Sequence, residues 1–221
     1  MSDERADRAK HYRLRPLCLD DIPTVTAWME DIEDLAMFDR RLVLPLDSAS
    51  MELEWRDSIV AREPRSSYWF MIQDEDKLEV GLAGLTEINL VHGSALMPMF
   101  IARSARKQGI AVRTRAVLLD FAFDQLRLVR ITSLHRADNE ASRRLSETCG
   151  FQEEGRIRKG WNAGGRYVDQ IICGLLAEEW REQREVLRGK LGPEAVVTLG
   201  SSETGQWTWP PSFVDQAAVA D

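Results

Sequence analysis

Alternating and clustered hydrophobic residues mark most of the strands of this chain. Polar and apolar residues alternate over positions 12–17, and a short apolar run follows at 68–72; both patterns predict strands. The polar residues 74–77 predict a turn, from which the chain returns as a second strand over 78–89. A further apolar run at 128–132 predicts another strand, so strands are expected in both halves of the chain.

The helical spacing of apolar residues is clearest after Ala111. One face of this predicted helix is expected to pack on a sheet, whereas Arg113 and Arg115 are expected to lie elsewhere. The apolar positions of the packed face are Val112, Ala116, Leu119, Phe123 and Leu126.

A second helix is predicted over residues 139–149 by the signals at its two ends. Asp138 or Asn139 can cap its N-terminus, because a side-chain oxygen there accepts a free backbone N–H of the first turn. Gly150 suits the left-handed conformation that often ends a helix.

Other segments are predicted with weaker signals. Further helices are expected after Asp20 or Asp21, from near Ser48, and over residues 177–188. Residues 31–47 are acidic and apolar without a clear period, and they are expected to be irregular.

Two turns shape the remaining strands. Residues 94–101 read as a strand that contains Pro98, which cannot donate a ladder hydrogen bond, so a bulge or a break in pairing is expected there. A closing hairpin is expected from 151–161 and 166–176, because the Asn-Ala-Gly-Gly sequence at 162–165 accepts positive φ angles.

The hexapeptide from Arg106 to Ala111 opens the predicted helix directly after a strand. Free backbone N–H groups and the helix dipole together attract phosphate at such a position. Gly109 lets the main chain come close to a ligand. Taken alone, the hexapeptide also fits a tight strand-to-helix turn without any ligand.

The order of these motifs resembles the GNAT superfamily of acyl-CoA N-acyltransferases. The resemblance covers about residues 12–180 and rests on three features: the hexapeptide, the helix and strand behind it, and the N-x-x-S-x-x-x-S…G-F segment from Asn139 to Phe151. It implies a single-domain α/β fold of GNAT type, with a mixed, mostly antiparallel, splayed sheet flanked by helices. It also implies acetyl-CoA as the acyl donor.

The same resemblance locates the donor site. The loop amides would hold the CoA pyrophosphate, and the second helix would lie beside the pantetheine. A break at Pro98 would let the pantetheine insert between two splayed strands. The residues implied in cofactor binding are Met99, Phe100, Ile101, Arg106, Lys107, Gln108, Gly109, Ile110, Ala111, Asn139 and Ser142.

Acyl transfer from a thioester to an amine needs a neutral amine, a polarised carbonyl and a proton for the departing thiolate. A backbone N–H near Met99 or Phe100 is the candidate for the carbonyl. For the thiolate, many family members place a Tyr where this chain has Ser146, and some Rim-type ribosomal-protein N-terminal acetyltransferases carry Ser there. A serine hydroxyl is a weak acid, so a positioning hydrogen bond is expected more than proton donation. A helix residue without a catalytic role is the alternative.

Glu87 is the leading candidate for the residue that binds the amine. It lies in a segment at 86–92 that resembles the E-I-N-x-V-H sequence of bacterial spermidine N-acetyltransferases. A carboxylate there could bind the ammonium group or take its proton through a water, and a solvated strand-end charge is the alternative. His92 is a second possible base. Tyr167 lies in a G-x-Y-x-D pattern shared with the spermidine and Rim-type groups, and it is a third candidate, with packing as its favoured role.

The charge distribution bears on the acceptor. Acidic residues are concentrated over 17–57, whereas Lys and Arg outnumber Asp and Glu over 101–190; ordinary surface charge on helices is the alternative explanation. The acidic segment and the resemblance to the E-I-N-x-V-H sequence together favour a polyamine-like or other small cationic amine. Nucleotide-linked amino sugars are the nearest alternative, for which Arg40, Arg41 and Arg65 would contact the phosphates. Protein N-terminal acetylation and an acyl-CoA-binding protein without turnover are further alternatives.

Length and composition bound the remaining possibilities. A chain of 221 residues is long enough for one well-cored domain, expected at 11–190 between a flexible N-terminus at 1–10 and a C-terminal tail at 191–221 with a Trp/Pro segment. The net charge of −7 argues against a nucleic-acid partner. The chain has neither an apolar run near the length of a membrane span nor a signal-peptide start, so a cytoplasmic location without membrane binding is expected.

The cysteines and the tail complete the picture. Cys18, Cys149 and Cys173 are expected to be buried, and no metal cofactor is expected because their surroundings lack the spacing of metal ligands. Trp207 and Trp209 are expected to dock either on the body of the domain or on a partner subunit, and a homo-oligomer, first of all a dimer, is predicted.

Overall fold

The computed structural model describes residues 9–39, 41–42, 44–60, 65–192, 194–200 and 207–211. The elements of the first half are β1 Lys10–Pro16, α1 Ile22–Trp28, α2 Ile32–Phe38, α3 Ser48–Ile59, β2 Tyr68–Gln73, β3 Glu79–Asn89, β4 Ser94–Leu96 and β5 Met99–Ile101. Those of the second half are α4 Ile110–Asp120, β6 Arg130–Arg136, α5 Glu140–Thr148, β7 Gln152–Ala163, β8 Arg166–Leu176, α6 Ala177–Lys190, β9 Ala195–Leu199 and β10 Thr208–Trp209. Most of the predicted flexible N-terminus, residues 1–8, lies outside the described residues.

One ten-stranded sheet holds the described strands together. Its order is β10-β9-β1-β2-β3-β4-β6-β8-β7, with β5 paired to β3 beside β4. Two of its pairings, β1 with β9 and β4 with β6, are parallel, and the other described pairings are antiparallel. The predicted α/β fold with a mixed, mostly antiparallel sheet is therefore confirmed.

The sheet opens between β5 and β6, directly after Pro98. The parallel pairing of β4 with β6 ends at Leu96 and Thr132. Beyond Pro98, which has no N–H to donate, β5 pairs with β3 and with no other described strand. β6 meanwhile continues to Arg136, paired with β8. The expected break at Pro98 and the divergence of the two strands are both confirmed.

Apolar side chains form one core on each face of the sheet. Neighbouring strand residues point to opposite faces, so Met71 packs with α1, α2 and α3, whereas Ile72 packs with α4. Leu82 and Ala83 divide between the two cores in the same way. The sheet is thus covered by the three N-terminal helices on one face and by α4 on the other.

The expectation of an irregular segment over 31–47 is wrong for its first part, which forms α2. The Asp31 side chain caps this helix by accepting from the backbone N–H groups of Glu33 and Asp34, each at 3.0 Å. Leu35 is buried against the core and holds the short helix in place. The capping residue Asp31 was present in the sequence, but one buried apolar side chain, Leu35, is too few to show the helical spacing of apolar residues.

The expectation that Arg113 and Arg115 lie off the packed face of α4 is also wrong. Both side chains are buried, because α4 is covered on more than one side: the C-terminal segment lies over Arg113, and α5 lies over Arg115. The apolar spacing located the face that contacts the sheet but gave no sign of these later layers.

The three cysteines do not share one environment. Cys149 and Cys173 are buried as expected, whereas Cys18 is exposed, so that expectation is wrong for one of the three. Cys18 lies at the turn before α1, where its Sγ contacts Asp21 Oδ2 at 3.2 Å. A turn position explains why it is not part of the core.

Part of the predicted C-terminal tail belongs to the sheet. β9 adds to the edge of β1 in parallel, and β10 pairs with β9 in antiparallel fashion. The Trp209 side chain is fully buried and donates to the Asp120 carboxylate at 2.5 Å, which also accepts from Trp180 at 2.9 Å. Of the two alternatives for the tryptophan segment, docking on the body of the domain is the one that the structure contains.

Replacing Trp209 with alanine is expected to lower the free energy of unfolding by about 3–5 kcal/mol, because a buried aromatic ring and its hydrogen bond are both lost. Urea unfolding followed by circular dichroism measures this difference. Tyr167→Ala is the control, since that ring is 66% exposed and its loss is expected to change stability by no more than about 0.5 kcal/mol. Equal effects of the two substitutions would contradict a packed tail.

Candidate active site

A cleft of about 570 Å³ opens where β5 and β6 separate. Its floor is formed by the strand residues at the break, and its rim by β3, α3 and the segment after α2. The described residues that line it are Phe38, Asp39, Arg41, Glu54, Trp55, Ser58, Ser66, Ser67, Trp69, Thr86, Glu87, Leu96, Met97, Pro98, Thr132, Leu134 and Trp161.

Aromatic rings form one wall of the cleft. The Trp55 and Trp69 ring centroids are 4.7 Å apart, and Phe38 stacks on Trp55 with an interplanar angle of 9°. Trp161 closes the wall from β7, and its Nε1 donates to the Ala36 carbonyl at 2.8 Å. This bond fixes α2 against β7, so the cleft has a defined width at that side.

Glu87 stands at a bulge in the strand that borders the cleft. The pairing of β3 with β4 shifts register between Thr86 and Asn89, and Glu87 has a left-handed φ of 50°. Non-glycine residues rarely adopt this conformation, which costs of the order of 1 kcal/mol or more. The bulge turns an exposed carboxylate to the cleft, as the predicted amine-binding role requires.

Two further carboxylates line the same cleft. Asp39 is paired with Arg41 at 3.2 Å and raises the pKa of that guanidinium, so the charges of this pair cancel. Glu54 lies on α3 among the lining residues. Among the described lining residues there are therefore three acidic side chains and one cation, which give this part of the lining a net negative charge.

Backbone amides of β5 face the gap between the diverging strands. Hydrogen bonds to β3 are made at Pro98, whose carbonyl accepts from Gly84, and at Ala102, whose N–H donates to Val80. Positions two residues apart on a strand face the same way, so Phe100 also points to β3, while Met99 and Ile101 direct their N–H groups into the gap. Of the two predicted amide donors, Met99 has the suitable direction and Phe100 does not.

The loop before α4 presents its main chain to the same region. Lys107 and Gly109 both have left-handed backbone angles, with φ of 63° and 72°, and Gly109 is the N-cap of α4. Consecutive N–H groups in such a loop form a concave anion site, to which the first turn of α4 adds its free amides. The loop therefore fits the phosphates of the CoA that the sequence implies.

Two side chains of this loop are bound to other parts of the protein. Gln108 Oε1 accepts from Lys10 Nζ and Tyr12 Oη, each at 3.0 Å. Arg106 donates to the Ile101 carbonyl at 3.0 Å and to Asp34 at 3.0 Å. The backbone, and not these two side chains, is left to face a ligand.

Asp34 links this loop to the acceptor side of the cleft. Its carboxylate is largely buried and accepts from Arg103 Nε at 2.8 Å and from Arg106 Nη2 at 3.0 Å. Asp34 lies on α2, whose end carries Phe38 and is followed by Asp39. The sequence gave no sign of this contact, because its partners are far apart along the chain.

Ser146 is buried and faces α4. Arg115 Nη1 donates to Ser146 Oγ at 3.1 Å, and the guanidinium lies over the Phe151 ring at 5.2 Å. Burial lowers the pKa of Arg115 and raises that of the Cys149 thiol to about 11. Burial, and then the charge of Arg115, lower the pKa of His135. Ser146 is not among the described residues that line the cleft.

The structure brings together some predicted site residues and separates others. Asn139 caps α5 by accepting from the Ser142 N–H at 3.0 Å, so it is the cap that the sequence left open. Tyr167 lies near the tip of the β7–β8 hairpin, is 66% exposed, and is absent from the described cleft lining. Sequence reasoning did not single out Trp69 or Trp161 for the acceptor cleft, since an aromatic residue in a strand predicts packing as readily as a ligand contact.

Other classes of site are not found in the described part of the chain. No group of three or more His, Cys, Asp or Glu side chains there is arranged to hold a metal ion. Among the described helices, none has the length and apolar character that crossing a membrane requires.

Two curated relatives match part of this chain. A Bacillus subtilis (strain 168) protein assigned as a ribosomal N-acetyltransferase, YdaF, is 31% identical over 104 residues, which cover 47% of this chain and 57% of that protein. Spermidine N(1)-acetyltransferase of Vibrio cholerae is 35% identical over 116 residues, or 52% of this chain and 67% of that enzyme. The chain thus spans little more than half the length of the first relative.

Solved structures of the Vibrio cholerae enzyme share the fold. The crystal structure of this spermidine N-acetyltransferase with CoA and spermine has a TM-score of 0.69 at 25% identity and covers 77% of this chain and 98% of that chain. A dodecameric structure of the same enzyme has a TM-score of 0.65 at 25% identity, with 76% and 95% covered.

In addition to these individual proteins, the sequence matches a protein family. The match is to the acetyltransferase (GNAT) domain, and it extends over residues 11–152. That segment includes β1 to β6, the loop before α4, the opening at Pro98 and α5. With more than half of its residues in the match, this chain belongs to the GNAT acetyltransferase family.

Proposed function

We propose that this protein transfers an acetyl group from acetyl-CoA to a primary amine of a small cationic molecule, by direct attack in a ternary complex. The observation that carries the proposal is the left-handed bulge at Glu87, which turns a carboxylate to an aromatic cleft beside the opened strands. Strain of this kind is retained where the position of a side chain matters. The spermidine enzyme with CoA and spermine is a fold relative that supports the same class of reaction.

The cleft lining favours a cationic acceptor. An ammonium group is attracted both by carboxylates and by the faces of aromatic rings, and here Glu54 and Glu87 lie with Trp55, Trp69 and Phe38 around one cavity. An apolar stem of the substrate would pack on the same rings. A polyamine-like amine combines these two properties.

Each group of residues has a separate task in the proposed reaction. Acetyl-CoA supplies the activated thioester. The amides of the loop before α4 bind the pyrophosphate, and the Met99 N–H polarises the carbonyl. Glu87 binds the ammonium and accepts its proton, directly or through a water, so that the neutral amine can attack.

Ser146 and Tyr167 are proposed for the thiolate with different support. Arg115 donates to Ser146 Oγ, so the hydroxyl hydrogen stays free to be donated elsewhere. Tyr167 keeps the pattern of the related groups, but its exposed position supports packing or surface roles at least as well. Both roles remain predictions, and Ser146→Ala and Tyr167→Phe variants test them.

A nucleotide-linked amino sugar is the second candidate acceptor, because Arg41 lines the cleft. Its guanidinium is paired with Asp39, and Arg65 lies over the Tyr68 ring at 5.3 Å, so neither is aimed at a phosphate in this conformation. Arg40 lies outside the described residues. Protein N-terminal acetylation and acyl-CoA binding without turnover remain further alternatives.

The predicted surroundings of the enzyme follow the same proposal. A homo-oligomer is supported by the dodecameric Vibrio cholerae relative, whereas a dimer in particular remains a prediction. The cytoplasmic location, the absence of a metal requirement and the absence of nucleic-acid or membrane partners also remain predictions from the sequence.

Glu87→Gln is expected to lower kcat/KM for the amine by at least about a hundredfold, because a proton acceptor is removed while the shape is kept. Free-thiol release from acetyl-CoA is measured with spermidine, a nucleotide-linked amino sugar and a short peptide with a free N-terminus, one at a time. Glu75→Gln is the matched control, an exposed carboxylate in the turn before β3, and it is expected to leave release unchanged.

The outcomes of this assay separate the candidate functions. Release with spermidine alone supports the proposal, and release with the sugar or the peptide alone replaces its acceptor. If protein that binds CoA releases no free thiol with any amine tested, the non-catalytic alternative is favoured. A Glu87→Gln variant as active as the wild type would remove Glu87 from the mechanism.

Trp161→Phe is expected to raise KM for the amine by about two- to tenfold and to leave KM for acetyl-CoA unchanged. The substitution keeps an aromatic ring in the wall but removes the hydrogen bond to the Ala36 carbonyl, and with it one anchor of α2. Trp207→Phe, the same change in the C-terminal segment, is the control. A selective rise in KM for acetyl-CoA would contradict the proposed division of the site.

A further inference from the structure

We infer that Arg113 and the segment after α6 hold the phosphate-binding loop in shape, so that the C-terminal strand of this chain sets its affinity for acyl-CoA. The inference rests on the proposed function, in that the loop before α4 is taken to bind the CoA phosphates. It assigns a positioning role to Arg113 and Glu194. The family match ends at residue 152, so the segment that contains Glu194 lies outside it.

Arg113 joins three parts of the chain through one buried guanidinium. The side chain is 1% exposed. Its Nη1 donates to the Gly109 carbonyl at 3.1 Å, and its Nη2 donates to the Gly192 carbonyl at 2.6 Å and to Glu194 Oε1 at 2.9 Å. The cation therefore spans from the phosphate loop to the start of the C-terminal segment.

The contact with Gly109 determines the form of the loop. A Cβ at Gly109 would lie 2.4 Å from Arg113 Nη1, so the guanidinium occupies the space beside this Cα atom. Gly109 is left-handed, with φ of 72°. Because the peptide group is planar, a fixed Gly109 carbonyl also fixes the direction of the next N–H, which is the first of α4.

The neighbouring loop residue is tied to the same edge of the sheet. Gln108 Oε1 accepts from Lys10 and Tyr12 of β1. β1 pairs in turn with β9, and the Lys10 N–H donates to the Glu194 carbonyl at 3.1 Å. Two successive loop residues, Gln108 and Gly109, are thus anchored on β1 and on the segment that leads into β9.

The cost of burying Arg113 supports a role for this arrangement. A buried guanidinium is destabilising unless its donors are satisfied. Here two carbonyl groups and one carboxylate accept from Nη1 and Nη2, while Nε is buried without an acceptor among the described residues. Glu194 is exposed and its pKa is lowered, first by its own backbone hydrogen bond and then by Arg113. None of these groups faces the amine cleft, so their effect should be confined to the donor.

Arg113→Lys is the variant that tests the inference. A single ammonium group keeps the charge but cannot bridge the loop and the C-terminal segment with a planar fork. KM for acetyl-CoA and the calorimetric Kd for CoA are expected to rise about tenfold, while kcat and KM for the amine stay within about twofold. This division of effects is one that a general loss of folding would not produce.

Two further variants keep the test decisive. Glu194→Ala removes the exposed acceptor without touching the core, and its Kd for CoA is expected to rise about two- to fivefold. Thr208→Val is the matched control, because it removes the Thr198–Thr208 hydroxyl contact between β9 and β10 and leaves the loop contacts in place. Its Kd for CoA is expected to equal that of the wild type.

The results distinguish this inference from the proposed function. Wild-type protein that binds CoA, with Arg113→Lys and Glu194→Ala variants that bind it equally well, would overturn the positioning role alone. A folded Arg113→Lys variant in which kcat falls and both KM values rise by about the same factor would also overturn it. Wild-type protein that does not bind CoA would overturn the proposed function and this inference together.

Discussion

The divergence of β5 from β6 at Pro98 is the constraint on which the site depends. The strand pairs with β6 up to Leu96, and beyond Pro98 it pairs, among the described strands, with β3 alone. The divergence leaves the Met99 and Ile101 amides directed into the gap and gives the cleft its floor at Met97 and Pro98. An unpaired amide in a dry interior costs about 1–3 kcal/mol, so an opened sheet is most favourable where a ligand carbonyl can accept from it.

Helix α2 connects the two halves of the proposed reaction. Its Asp34 holds Arg103 and Arg106 beside the donor loop, while its last residue, Phe38, and the following Asp39 line the acceptor cleft. Trp161 fixes the same helix from β7. One short helix therefore carries residues of both proposed binding sites, and its bonds to Arg103, Arg106 and Trp161 hold it between them.

Features that depend on the local backbone chemistry of one or a few neighbouring residues could be predicted from the sequence. The break at Pro98, the left-handed Gly150 and the cap at Asn139, one of the two candidates, each follow from local chemistry, and each occurs where the sequence indicated it. Contacts between distant segments could not be predicted. The Trp161–Ala36 bond joins residues 125 apart, and the Arg103–Asp34 pair joins residues 69 apart, so neither leaves a local pattern. The tail strand and the burial of the α4 arginines could not be predicted for the same reason. The apolar spacing of a helix gives no information about segments from elsewhere in the chain that pack over it.

A phosphate site formed by backbone amides depends on the conformation of its loop more than on the identity of the side chains there. Arg106 and Gln108 are bound to Asp34, to a strand carbonyl and to β1, so the positive character that remains for a ligand comes from amides, the dipole of α4 and the exposed Lys107 side chain. Amides contribute only when they converge on one point, and a few tenths of an ångström decide the strength of each bond. The buried guanidinium of Arg113 is consistent with that demand, because it restrains the Gly109 carbonyl from below the loop without competing for the ligand. The segment after α6, whose contacts could not be predicted from the sequence, thus supports the loop before α4, which could be predicted.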